Sequence, residues 1–523
     1  MSGPNLADLI ARNAGFAPQK LALRCEGTEL SYGQFATLIE AAAFALVNTC
    51  GVRRGDRVAY LGLNSPRQLV LLYACARVGA MLLPLNWRLA RGELAYIIGN
   101  AEPKLLAIEQ EFASDPGDLI AGAPTMGLIG LDGEVAGGLA FDELVAKASD
   151  RSLATEGHFE DPVLLVYTSG TTGHPKGALL TQACLHWNSV ASVHMHGLTA
   201  RDHVLTVLPM FHVGGLNIQT TPALHAGATV TLHRRFAPGA ALAAIAHDRP
   251  SLTVLVPATF QAMLADPGFA AADFSSLRAI ATGSTVVSEE LVDIFAARGV
   301  RLIQIYGATE TGPVSVYERF DQKRDRRDTT GLAGYCTQLR IVDDNGRAVP
   351  TGRPGEIALR GPGIFAGYWR DEAATSAAFR HGWYLTGDIG KVDPDGYLYV
   401  HDRKKNVIIS GGENIYPAEI ERVIMEIEAV AECAVVGVPD ARWQETPVAL
   451  VVRRQGATLD IAALKAHLAA NLARFKLPRR ILSRDSLPKN AMGKVQHFLL
   501  KAQMAAASRG EPGEVEGRGE AGD

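Results

Sequence analysis

Residues 167–177 read Tyr-Thr-Ser-Gly-Thr-Thr-Gly-His-Pro-Lys-Gly, directly after the apolar run 163–166. Four hydroxyl residues (Thr168, Ser169, Thr171, Thr172) and the glycines Gly170 and Gly173 stand beside Lys176. Glycine lets a backbone curl until several N–H groups point at one anion. The hydroxyls add donors and the lysine adds charge, so this loop is built to hold phosphate. It is not the loop of ordinary P-loop ATPases: Gly170 and Lys176 are wrongly spaced for G-x-x-x-x-G-K-[ST], and no Ser or Thr follows the lysine.

Further clusters carry chemistry. Tyr306-Gly-Ala-Thr-Glu310 follows the apolar run 302–305. An aromatic ring there can stack on a base, a hydroxyl can touch phosphate, and a carboxylate can hold Mg²⁺ against phosphate oxygens. Tyr384-Leu-Thr-Gly-Asp388 sets a carboxylate in a turn, suited to gripping two ribose hydroxyls. Asp402-Arg403, the run 408–421 around Ser410-Gly-Gly412, and Leu487-Pro-Lys-Asn-Ala-Met-Gly-Lys494 complete the set.

Parallel sheets covered by helices must position these loops. Short apolar runs at 163–166, 204–208, 229–232, 253–256, 277–281 and 302–305 read as strands. Helical patterns such as 288–298 intervene. The first hundred residues repeat the style, with strands at 57–61 and 81–85 and a helix at 67–78. Such alternation places ligand loops at the carboxyl ends of strands. Strands at 355–360 and 396–400 mark a smaller β-rich region, and the polar run 402–406 suits a linker. A compact α+β unit with helices near 418–426 and 461–472 follows. The fold class is therefore α/β: a large N-terminal domain (1–403), a small C-terminal domain (404–505) and a polar tail (506–523) expected to be disordered.

With 51 basic and 55 acidic residues, the chain gives no electrostatic case for nucleic acid. Its six scattered cysteines form no C-x-x-C pair, which suits a reducing compartment. The opening residues lack a secretory pattern. The apolar stretch 69–85 is broken by Arg77 and fits a buried helix better than a membrane span. The expectation is a cytoplasmic protein.

In their order, these motifs resemble the adenylate-forming superfamily of acyl-CoA synthetases, luciferases and peptide-synthetase adenylation domains. The likeness runs over about residues 5–503 and is nearest to bacterial fatty-acyl and aryl-acid CoA ligases. It implies ATP, Mg²⁺ and coenzyme A as cofactors and a small carboxylic acid as partner. A carboxylate attacks the α-phosphate, and the CoA thiol then displaces AMP. The resemblance implies roles residue by residue. Residues 168–173 and Lys176 would hold the β and γ phosphates, Thr309 would touch the α-phosphate, and Glu310 would bind Mg²⁺. Tyr306, after Ile305, would stack on adenine, with Gly283, Ser284 and Thr285 on the other side. Asp388 and Arg403 would hold ribose, and Lys494 would bridge carboxylate and α-phosphate. His212 would gate the acyl pocket. Lys405 would be the pivot about which the C-terminal domain turns. That turn would bring in Ser410, Gly411 and Gly412 to leave a tunnel for pantetheine, while Trp443, Phe475 and Arg479 would meet the CoA nucleotide.

Two departures stand out. The loop 331–339 is short and lacks the proline usual in such ligases, and Ile305 stands where many fatty-acid members have glycine. A bulky side chain there shortens the acyl pocket. His186, His194, His196 and His203 match no motif and read as incidental. The acid stays open between a medium- or long-chain fatty acid and an aryl acid. A carrier-protein-loading enzyme and a luciferase-like oxygenase are the alternatives. A homodimer and peripheral membrane contact stay open too.

Overall fold

A computed structural model describes residues 5–113, 126–148, 151, 153–168, 175–283, 289–322, 326, 328–410, 413–440, 443–489 and 493–508. By internal contacts the chain divides into two units. The first comprises Met1–Arg340, Ala358–Leu385 and Pro394–Leu398; the second comprises Ile341–Ile357, Thr386–Asp393 and Tyr399–Asp523.

Among the described residues the first unit holds two large sheets. In the longer, the strands Arg301–Tyr306, Ala279–Thr282, Leu252–Leu255, His203–Thr206, Thr229–Leu232 and Leu21–Cys25 lie side by side and parallel. In the other, Pro162–Thr168, Met81–Pro84, Arg57–Leu61, Leu105–Ile108 and Gly127–Gly130 are parallel neighbours. Their apolar side chains are buried on both faces, as helix-covered parallel sheets require.

Helix Pro66–Val78 shows how the local sequence sets an element. Ser65 caps it by accepting the Arg67 N–H at 3.2 Å, Pro66 opens it, and Gly79 closes it with a left-handed φ of 80°. The stretch 69–85 is thus a buried helix followed by the strand Met81–Pro84. Among the described residues no helix is long and apolar enough to cross a membrane. All six cysteines are free thiols.

A β-rich sheet pairs Gln338–Val342, Gly355–Arg360, Trp383–Val392 and Phe379–Arg380, with Leu398–Arg403 on Trp383–Val392; its strands are divided between the units. In the second unit the long hairpin Val430–Asp440 and Gln444–Arg453 alternates its side chains between two cores. Val435, Ala449 and Val451 meet the helices Pro417–Met425 and Ile461–Asn471. Val436, Val448 and Leu450 meet Leu500 and Met504 of helix His497–Ser508.

Several boundaries differ from the sequence reading, such as the strand expected at 277–281, which runs over Ala279–Thr282. The strand expected at 204–208 ends at Thr206, before Pro209, and Met210 N–H turns to Asn64 Oδ1 at 2.8 Å. The strand expected at 396–400 runs over Leu398–Arg403, because Gly396 sits in a turn at φ 91°. Asp402 and Arg403 therefore belong to a strand rather than a linker, and Lys404–Asn406 is a single 3₁₀ turn. Helix His497–Ser508 continues past 505; residues 509–523 lie outside the described residues.

Candidate active site

Three pieces of chain meet in the first unit. Strands Pro162–Thr168 and Lys176–Thr181 form a hairpin in which Thr168 pairs with Lys176, closing the base of the hydroxyl-rich loop. Strand Gly367–Tyr368 adds to the hairpin's outer edge, with Tyr368 opposite Ala178. The turn Thr309–Thr311 follows the strand Arg301–Tyr306. A side chain at Gly307 would collide with the Pro313 carbonyl, so only glycine allows the turn to close.

Tyr368 joins these pieces. Its hydroxyl donates to Glu310 Oε1 at 3.0 Å, and Lys176 Nζ lies 5.5 Å from its ring centroid. Asp371 Oδ2 stands 3.5 Å from the same ammonium. Glu310 and Thr309 are buried. Magnesium takes oxygen ligands. A buried carboxylate with one oxygen held in place, beside a fixed lysine, is a donor set that fits a metal–phosphate group.

Gly283 follows the strand Ala279–Thr282, the parallel neighbour of Arg301–Tyr306. A Cβ at Gly283 would stand 3.0 Å from the Ile305 carbonyl oxygen, so glycine leaves a bare wall beside Tyr306. Ile305 is buried and pairs with Tyr317. His212 heads a short turn, its Nδ1 accepting Gly214 N–H at 2.9 Å. That bond leaves the ring proton of the neutral imidazole on Nε2. Gly215 packs where a side chain would strike the Pro209 carbonyl.

The second unit gathers a charged group. Arg403 Nε lies 2.7 Å from Asp388 Oδ1. Asp388 N–H bonds Thr386 Oγ1 at 3.1 Å, and Gly387 N–H bonds Glu356 Oε1 at 3.1 Å, which shapes the turn. Lys494 and Lys405 both lie within the fields of Arg403 and Asp388. The Lys494 side chain keeps contact with solvent, yet crowding by protein atoms lowers its pKa. The Arg403 charge lowers it further and Asp388 opposes both. Lys405 is lowered for the same reasons. Ser410 ends the strand Ile408–Ser410, opposite Glu413 and Gln444. Arg479 Cζ lies 5.9 Å over the Trp443 ring, and Phe475 is exposed beside Lys476. Ser169, Gly170, Thr171, Thr172, Gly173, Ser284, Thr285, Gly411 and Gly412 lie outside the described residues.

The model of the AMP-binding enzyme family matches residues 10–369, and that of the AMP-binding enzyme C-terminal domain matches 419–494. The chain belongs to the AMP-binding enzyme family. It is 46% identical over 493 residues to the indoleacetate–CoA ligase of Aromatoleum aromaticum, covering 94% of this chain and 96% of that one. It is 38% identical to a feruloyl-CoA synthase of an Amycolatopsis species, covering 95% and 98%. The crystal structure of the anthranilate CoA ligase AuaEII with anthranoyl-AMP superposes with a TM-score of 0.89 at 27% identity, covering 97% and 98%. This AMP-binding enzyme is thus an acid–thiol ligase of the acyl-CoA synthetase class, in a superfamily of adenylate-forming enzymes.

Sequence reasoning missed Tyr368 and Asp371 in this AMP-binding enzyme. The signal was there: Gly367-Tyr-Trp-Arg-Asp371 sets aromatic and charged residues in a short run after a glycine. Two of the histidines that match no motif are hydrogen-bonded within the first unit. His194 Nδ1 lies 2.9 Å from the Tyr317 hydroxyl, and buried His196 contacts Ser192 and Gln219.

Proposed function

We propose that this ligase activates an aryl or arylalkanoic acid in preference to a long linear one. The observation that carries the reading is Ile305, buried at the carboxyl end of its strand next to Tyr306, where a side chain shortens any pocket beneath an adenylate. The names of the indoleacetate, feruloyl and anthranilate relatives support it.

In this reading a carboxylate oxygen attacks the α-phosphorus of ATP and pyrophosphate leaves. The CoA sulfur then attacks the carbonyl carbon, the acyl–phosphate C–O bond breaks, AMP leaves and the thiol proton is lost to solvent. Two anions must meet in the first step, so oriented positive charge and donors lower the barrier. Lys176 and the loop 168–173 hold the outer phosphates, Thr309 the α-phosphate and Tyr306 the adenine. Asp388 and Arg403 hold ribose, and Lys494 bridges the two reacting anions. Magnesium, held by Glu310, supplies charge neutralisation when bound. Residues 404–505 form the domain that turns about Lys405 between the steps, after which Ser410, Trp443 and Arg479 serve CoA.

The test is CoA-dependent AMP release across linear acids of graded length, benzoates, cinnamates, phenylacetate and indole-3-acetate. The highest kcat/KM is expected for an aryl or arylalkanoic acid. A higher value for a long linear acid would overturn the reading.

A further inference from the structure

The strand register sorts the larger sheet's side chains between its faces. Val204, Leu252, Ala279 and Arg301 stand in one row across four strands. Side chains alternate along a strand, so Thr206 and Ile305 share the face of that row. On this face lies the segment Leu216–Thr220, tied down by Thr220 Oγ1 at 2.7 Å from Thr206 Oγ1. The segment is a π-helical turn, wider than an α-turn, a feature found often at functional sites.

Helix Gln182–His196 lines the segment with polar side chains at helical spacing. Asn188 Nδ2 donates to Asn217 O at 2.6 Å, while its Oδ1 accepts Val314 N–H at 3.0 Å, four residues beyond Glu310. Ser192 Oγ donates to Ile218 O at 2.6 Å. His196 Nδ1 lies 3.0 Å from Ser192 O, and its Nε2 lies 3.0 Å from Gln219 Nε2. Burial pushes the His196 pKa down to about 4, so the ring is neutral. Its Nδ1–H donates to the Ser192 carbonyl, and its Nε2 accepts from the Gln219 amide.

That assignment fixes which way the Gln219 amide points. Its Oε1 meets no donor among the described residues, and the neighbouring Asn217 Nδ2 meets no acceptor. Gln219 is 1% exposed and Asn217 0%. A buried, unpaired acceptor is costly and calls for a partner from outside the chain. The network behind it is polar and buried, and Asn188 links it to Val314, just past the turn that carries Glu310.

We propose that Gln219 Oε1 accepts a hydrogen bond from a ring N–H or O–H of the bound aryl acid, making Gln219 a specificity-determining residue. The inference rests on the aryl-acid reading. It selects, within that class, acids whose ring carries a donor. His196 and Ser192 act through Gln219 by holding its amide in one orientation.

The test compares two acids of nearly the same shape, indole-3-acetate and benzothiophene-3-acetate, the second with sulfur in place of the ring N–H. Wild type is expected to favour the indole acid in kcat/KM by roughly ten- to a hundredfold, the effect of leaving one buried polar group unpaired. Gln219→Leu is expected to lower turnover of the indole acid and raise that of its sulfur analogue, bringing the ratio near one. Similar kcat/KM for both acids in wild type would mean that water or nothing meets Gln219, which overturns the inference and leaves the aryl-acid reading standing. Turnover of linear acids with neither aryl acid accepted overturns both. The wild-type pair decides without the variant, should that fail to fold.

Discussion

The two units hold their site residues in opposite ways. In the first, Glu310 is 8% exposed and Thr309 5%, both set in the turn after a strand, with Glu310 tied by Tyr368. In the second, Asp388 is buried too, but the cations grouped with it are not: the Arg403 side chain is 50% exposed and Lys494 reaches solvent. A buried hydrogen-bonded carboxylate is costly to disturb. Arg403, half exposed, keeps water close to its bond with Asp388, which screens the pair and lets the arginine part from it more easily than a fully buried group could. The contrast suits the proposed two-step reaction, in which the first set of groups would stay in place through both steps and the second would serve only one.

The sharpest way to break this comparison is Lys494→Ala. Loss of one preorganised charge-stabilising group costs about 10²–10³ in rate. ATP-dependent adenylate formation is expected to fall by that much, while thioester formation from supplied acyl-adenylate is spared. Pre-steady-state assay of each half-reaction checks it, and equal loss in both would remove the one-step role. The pKa of Lys494 is lowered, and its cationic form is the active one. Adenylation should therefore decline as pH rises, starting below the ordinary lysine range. Lys494→Arg should move that limb to higher pH.

A smaller effect is expected from Tyr368→Phe. The ring under Lys176 is kept and only the hydroxyl on Glu310 is lost. Hydrogen bonds to charged groups contribute about 1.5–3 kcal/mol, so adenylation should drop by roughly ten- to a hundredfold. The apparent Mg²⁺ requirement, read from ATP–pyrophosphate exchange, should rise. An unchanged requirement would detach Tyr368 from the metal site.

The smallest change per substrate is expected from Ile305→Gly. Each further buried methylene adds about 0.8 kcal/mol, roughly fourfold in kcat/KM. Longer linear acids should gain stepwise relative to indole-3-acetate, offset in part by the freedom that glycine gives the strand end. An unchanged ranking across the series would show that Ile305 does not floor the pocket.

How much was legible follows from what each residue does. Tyr306, Glu310, Asp388, Arg403 and Lys494 stand out as candidates in the sequence because the chemistry proposed for them lies in their own side chains and short motifs. Tyr368 was not, because its role comes from strand pairing: Gly367 lies against Leu179 only after the chain has built both sheets. Gln219 sits in the segment Leu216-Asn-Ile-Gln-Thr220, whose alternation of apolar and polar residues gives no hint of a π-turn. The strand at 396–400 was misplaced because nothing in the apolar pattern shows that Gly396 belongs to a turn. The parallel sheets were legible because both-face burial writes continuous apolar runs.

Helix Pro66–Val78 has ten of its thirteen residues buried. It packs on the strands Met81–Pro84 and Pro162–Thr168 of one sheet and Leu21–Cys25 of the other. It is a shared spine, and neither sheet can shed it without baring an apolar face to water. Amides in Arg57–Leu61 and in His203–Thr206 should accordingly exchange with deuterium through one common opening. Ile305 and Gln219, the residues proposed to select the acid, lie outside this spine. They can change, and on that reading the acid chosen with them, while the scaffold keeps its fold.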